Sequence, residues 1–167
     1  MCSQQAEKCT FYFDFSRFDR ILFLMYNMKK IIKRSAYLME GYEITNIHED
    51  VAKILVDRIK KYGENARIYY SDLCSLIDNV VGCRQIASYI GDISCWCYEI
   101  DAPMLSALVI NKDENMPGKG FFTLYAELND IARVEDEDKL KIWIDEYRKV
   151  INYREWDNLL SYLGIAT

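Results

Sequence analysis

The segment Asn111 to Gly120 holds the densest cluster of turn-forming residues in the chain, with Asp113, Asn115, Pro117, Gly118 and Gly120 inside it. The whole sequence has only 2 Pro and 7 Gly, so this cluster marks a loop that interrupts an otherwise regular chain. Leu105 to Ile110, just before it, is an apolar run that is β-branched in its second half and predicts a strand. Phe121 to Leu124, just after it, is the expected returning strand. The pair would make a β-hairpin with a glycine-rich tip.

Elsewhere the spacing is helical. Asn46 is the expected N-cap of a helix running to Tyr62, with Glu49 three residues on as in a capping box and Gly63 as the stop. Val51, Ile54, Leu55 and Ile59 form its apolar stripe. A short β-like piece, Arg67 to Tyr70, precedes a helix from Asp72 to Asp78 capped by Ser71. After a turn at Asn79 to Gly82, a third helix starts near Cys83, and Gly91 is a candidate break in it. Leu140, Trp143, Ile144, Tyr147 and Ile151 predict a C-terminal helix, and Trp156 to Leu163 a last short one ended by Gly164. Trp96, Trp143 and Trp156 fall on helical stripes, which assigns them to the core. Near the N-terminus, Phe11, Phe13 and Phe15 alternate like a strand, and a helical stripe follows from Phe18 to Ile32. Met28 resembles a natural start, which would make the first 27 residues an upstream extension.

A hydrophobic fraction of 51% with 28% charged residues excludes a disordered, collagen-like or low-complexity chain. A net charge of −5 argues against a strongly basic nucleic-acid binder. The charge is uneven, however. Arg17, Arg20, Lys29, Lys30, Lys33 and Arg34 cluster near one end, and Glu135 to Asp138 form an acidic run near the other. Both patterns also suit solvated helix faces. The 6 cysteines contain no CxxC pair, only Cys95-Trp96-Cys97, and there is a single histidine, His48. No metal site or cofactor is expected from that set. Buried free thiols in a reducing, cytoplasmic setting are the expectation. No apolar run approaches the ~20 residues of a membrane span.

The element order from residue 46 to 128 is helix, short strand, helix, turn, helix, strand, glycine-rich loop, strand. That is the order of a winged helix-turn-helix. The expected fold is therefore α+β, mainly α: an appendage at residues 1–45, a central winged-helix domain at 46–128 and C-terminal helices at 129–167.

Residues 66–122 resemble the C-terminal winged-helix domain of the alkylguanine-DNA alkyltransferases and their catalytically dead alkyltransferase-like relatives. Tyr70-Ser71-Asp72-Leu73 matches the family's Tyr-x-x-Leu at the first helix. Arg84-Gln85-Ile86-Ala87 stands at its Arg-Ala-Val-Gly, and Val109-Ile110-Asn111 at the end of its Pro-Cys-His-Arg-Val-Val-Asn. Pro103 is displaced upstream of that motif. The nucleophilic Cys and its His have no counterpart, because Leu105 to Leu108 occupy their place. The resemblance thus excludes alkyl transfer, which needs a thiolate activated by an imidazole.

What the resemblance implies is non-catalytic DNA binding. Arg84 would enter the base stack, Gln85 and Ser88 would contact base edges or phosphate, and Tyr70, Asn111, Lys112 and Lys119 would complete the interface. Arg67 lies close to the same elements in sequence. An exposed arginine at a helix start is the alternative reading of Arg84. The phrase Leu105 to Phe122 is also similar to a segment of bacterial and phage proteins to which no activity is attached. A different class of function suits the acidic run: a phage or mobile-element inhibitor of host defence that docks a basic partner through an acidic surface. An enzyme is the least favoured reading. Gly118-Lys119-Gly120 is not a P-loop, and Asp92, Glu99, Asp101, Asp113 and Glu114 lack the arrangement of a Mg²⁺-dependent nuclease.

Overall fold

A computed structural model describes residues 43–165. The expected strand at Phe11 to Phe15, the helix after Arg17, the basic cluster there and the start at Met28 lie outside the described residues.

The described chain is mainly helical with one small sheet. Its elements are α1 (Asn46–Tyr62), a 3₁₀ turn (Gly63–Asn65), β1 (Ile68–Tyr69), α2 (Tyr70–Leu76), α3 (Ile86–Glu99), a second 3₁₀ turn (Leu105–Leu108), β2 (Val109–Ile110), α4 (Lys119–Leu128), α5 (Asp136–Asn152) and α6 (Trp156–Tyr162). Among the described residues no helix is long and apolar enough to cross a membrane.

α1 forms where its pattern predicts, burying Val51, Ala52, Leu55, Val56 and Ile59. Its cap is one residue earlier than expected. Thr45 is the N-cap and His48, not Glu49, closes the capping box. Gly63 ends the helix with φ 51° and ψ −122°, a conformation that a Cβ would strain. α2 begins at Tyr70 rather than Asp72, with Tyr69 and not Ser71 at its cap position. Ser71 Oγ instead donates to Asp72 Oδ1 at 3.1 Å. α3 starts at Ile86, three residues later than expected, and runs through Gly91 unbroken. Its buried face, Ile86, Ile90, Ile93 and Cys97, spans that glycine and holds the helix together.

α3 is the centre of the fold and packs against α1, the second 3₁₀ turn and α4. The turn Leu105–Leu108 is buried at every residue. A tight turn can enclose four consecutive side chains where neighbouring elements cover it on all sides. Burial of Leu105 and Leu108 contributes roughly 1.5–3 kcal/mol each. α5 covers the turn from the other side. Trp143 Nε1 donates to Ala107 O at 2.9 Å, and Met104 N donates to Glu146 Oε1 at 2.8 Å. Between α3 and the turn, Ser94 Oγ donates to Ser106 Oγ at 2.8 Å and accepts from Ser106 N at 3.1 Å. Trp96, Trp143 and Trp156 are all buried, as the stripes predict.

The β-hairpin does not form. Only Val109–Ile110 is strand, and it pairs in parallel with β1, Ile68 opposite Val109 and Tyr69 opposite Ile110. Phe121 to Leu124, the expected returning strand, lies inside α4. The reason is burial period. Phe121, Phe122, Ala126 and Leu128 are all buried, and adjacent Phe121 and Phe122 would point to opposite faces of a strand. A helix lets both reach one side, with their rings edge to face at 5.0 Å. The architecture is thus a helical domain in which α2 and α3 form the crossover of a parallel strand pair.

Candidate nucleic-acid interface

The parallel register decides which of the expected site residues meet. Tyr69 and Ile110 are partners, so Tyr70 and Asn111, the next residues, leave the sheet at the same end. Asn111 then organises the loop that follows. Its N–H donates to Met116 O at 2.8 Å, its carbonyl accepts from Asn115 N at 2.9 Å, and its Oδ1 accepts from Asp113 N at 3.1 Å. Asn115 takes φ 50°, where an Asn is tolerated better than most side chains. The loop closes on Gly118, the N-cap residue of α4. The Tyr70 hydroxyl is 3.7 Å from where a Gly118 Cβ would sit. Burial raises the Tyr70 pKa above its ordinary value, opposed by the Gly118 backbone. Lys112 Nζ sits 5.4 Å from the centre of the Tyr69 ring, and Lys119, exposed, opens α4.

Tyr70, Asn111, Lys112 and Lys119 therefore converge at the strand ends, by parallel pairing rather than by a wing. Arg84, Gln85 and Ser88 sit apart from them in chain terms, all exposed, at the start of α3. Gln85 Oε1 accepts from Gly82 N at 3.2 Å and steadies that start. The link from α2 to α3 runs from Ile77 to Gln85, longer than the 3–4 residues usual in a helix-turn-helix. Asp78 and Asn79 reverse the chain there with φ 55° and 52°. Arg67 belongs to a different surface, a groove beside α5.

One cluster was missed in the sequence. His48 is buried, and its Nδ1 accepts from Thr45 N at 3.1 Å. Thr45 Oγ1 is 3.0 Å from the same nitrogen. An Nδ1 that accepts a backbone N–H leaves the imidazole proton on Nε2, which lies 3.3 Å from Asp92 Oδ2. The Tyr89 and Trp96 rings enclose the imidazole at 4.7 and 4.8 Å. Thr45-x-x-His48 was the legible signal. Asp92, on another helix, was not legible. The hydroxyl, imidazole and carboxylate form a line, but the imidazole is the buried closure of a helix cap.

Three of the thiols are equally quiet. Burial, with the charges of Asp92, Glu99 and Glu127, pushes Cys95 up to about 12. Burial pushes Cys97 and Cys74 to about 12 as well, the latter helped by Cys83. Groups of this kind stay protonated at neutral pH and are poor nucleophiles.

No family model matches the chain. No curated protein and no solved structure is significantly similar to it.

Proposed function

We propose that this protein binds a nucleic acid without acting on it chemically, through Arg84, Gln85 and Ser88 at the start of α3 and Tyr70, Asn111, Lys112 and Lys119 at the strand ends. One observation carries this reading. Among the described residues, no carboxylate lies within ion-pair distance of Arg84, Lys112 or Lys119, all three are exposed, and Lys112 and Lys119 both stand on the short loop and helix start that follow β2. Cations without internal partners are the ones a phosphate backbone can recruit, and their counterions are the ones released on binding. The half-buried Tyr69 ring, 5.4 Å from Lys112 Nζ, adds an aromatic group beside the cation, of the kind that unpaired bases stack on. The acidic run at the start of α5 has a local account: Asp136, Glu137 and Asp138 occupy a helix first turn, where negative charge is favourable.

Anisotropy titrations of labelled duplex and single-stranded oligonucleotides across a salt series test the proposal. Arg84→Ala with Lys119→Ala is expected to weaken binding by roughly tenfold or more and lower the salt slope by about 2. An unchanged affinity and slope in that variant would remove the proposal.

A further inference from the structure

α5 has two apolar faces, and the core uses only one of them. Trp143 and Val150 are buried with Glu146. Leu140, Ile144, Tyr147 and Ile151 recur at helical spacing on the adjacent flank, with Leu140 53% and Ile144 37% exposed. Ile144, Tyr147 and Ile151 of that flank line a groove of about 460 Å³ whose opposite wall is Glu64 and Arg67. A volume of this size falls within the ~300–1,000 Å³ typical of small-molecule sites.

The groove is held open. Tyr147 Oη donates to Glu64 O at 2.9 Å, which spans its two walls. Trp143 in its floor is fixed by the bond to Ala107 O. Its rim carries two guanidiniums against one carboxylate. Arg67 has no carboxylate within ion-pair distance among the described residues. Arg148 reaches, among the described carboxylates, only Asp145, three residues before it on the helix, at 3.7 Å, and its side chain is 72% exposed. With Asp145 beside Arg148 and Glu64 on the same rim, Arg67 is the cation left without a carboxylate partner, above an aromatic and aliphatic floor.

We infer that this groove binds a small amphipathic carboxylate, its apolar body on Trp143, Ile144 and Ile151 and its head group on Arg67 and Arg148. The guanidinium fork matches a carboxylate in a planar, two-pronged geometry. A neutral apolar molecule would gain only the floor. A cation would meet two like charges at the rim. None of these residues belongs to the proposed nucleic-acid surface, so the two readings stand or fall separately.

The test uses the full chain and the fluorescent probe 1-anilinonaphthalene-8-sulfonate, with sodium decanoate and decanol as competitors and near-UV circular dichroism as the check on packing. The probe is expected to saturate one site, and decanoate to displace it about tenfold more effectively than decanol. Arg67→Gln with Arg148→Gln, both at exposed positions, is expected to bring decanoate down to the level of decanol. Ile144→Asp is expected to abolish displacement by both while leaving the near-UV spectrum native. Equal competition by decanoate and decanol, or a double glutamine variant that binds decanoate like the parent, overturns the carboxylate assignment. Unchanged binding in a folded Ile144→Asp variant overturns the groove itself.

Discussion

His48 Nε2 lies 3.3 Å from Asp92 Oδ2, a contact between residues 44 positions apart that ties the first turn of α1 to the middle of α3. The imidazole spends its other nitrogen on the Thr45 amide, so both of its polar atoms are used inside the fold. His48→Ala is expected to cost about 2–3 kcal/mol, from lost packing against Tyr89 and Trp96 and from the unmet Thr45 amide. Asp92→Asn is expected to cost less, because Asp92 is partly solvated, with 19% of its side chain exposed. Urea unfolding of the two single variants and the double variant would give a coupling of about 1 kcal/mol. Strict additivity would mean that the pair contributes nothing to joining the helices.

Glu146 is a buried carboxylate with both oxygens engaged. Oε1 accepts from Met104 N and Oε2 from Lys149 Nζ, each at 2.8 Å. Removing it by Glu146→Ala strands a buried amide at the entry to the second 3₁₀ turn, with an expected loss of about 2–4 kcal/mol. Glu146→Gln keeps an acceptor for that amide and should cost about 1 kcal/mol or less. Lys149→Ala leaves the buried Glu146 carboxylate without its cation and should cost about 1–3 kcal/mol, although the lysine itself is largely exposed. Chemical denaturation ranks the three variants. A glutamine variant as damaged as the alanine one would show that charge, not the acceptor, is what the site uses.

Cys97 makes stability depend on alkaline pH. Burial pushes its pKa to about 12, while an unfolded thiol ionises near ~8.5. The folded state therefore keeps a proton that the unfolded state releases. The stabilisation is fully present below the unfolded value and is lost as pH rises toward the folded one. The slope is about 1.4 kcal/mol per pH unit between them. Cys97→Ala should flatten the decline by that amount when unfolding free energies are compared from about pH 8 to 11. Parallel curves for parent and variant would mean that the thiol ionises as easily folded as unfolded.

What the sequence disclosed depended on whether a signal was local. The α1 stripe and its Gly63 stop are local, and both were legible. The cap was misplaced by one residue because Thr45-x-x-His48 and Asn46-x-x-Glu49 compete. The choice falls to the aromatic pocket that Tyr89 and Trp96, more than forty positions away, build around His48. Gly118-Lys119-Gly120 suggested a hairpin tip because glycine marks both tips and helix starts. Only the shared burial of Phe121 and Phe122 separates the two. Leu140, Trp143, Ile144, Tyr147 and Ile151 cover too wide an arc of α5 for all to be buried. Which part is buried depends on the bonds to Met104 and Ala107, and these cannot be read from spacing. Among the residues proposed for the site, Tyr70, Asn111, Lys112 and Lys119 are gathered by the parallel register of β1 and β2. A pairing between strands this far apart in the chain leaves no local trace.

The second 3₁₀ turn has one more consequence, for the order in which the chain acquires its structure during synthesis. The Ala107 carbonyl and the Met104 amide are completed only by Trp143 and Glu146. Until those side chains leave the ribosome, this fully buried apolar stretch has no finished surroundings. At ~5–20 residues per second that interval is a few seconds. During it, nascent Leu105 to Ile110 is open to capture by a holdase or by its neighbours on a polysome.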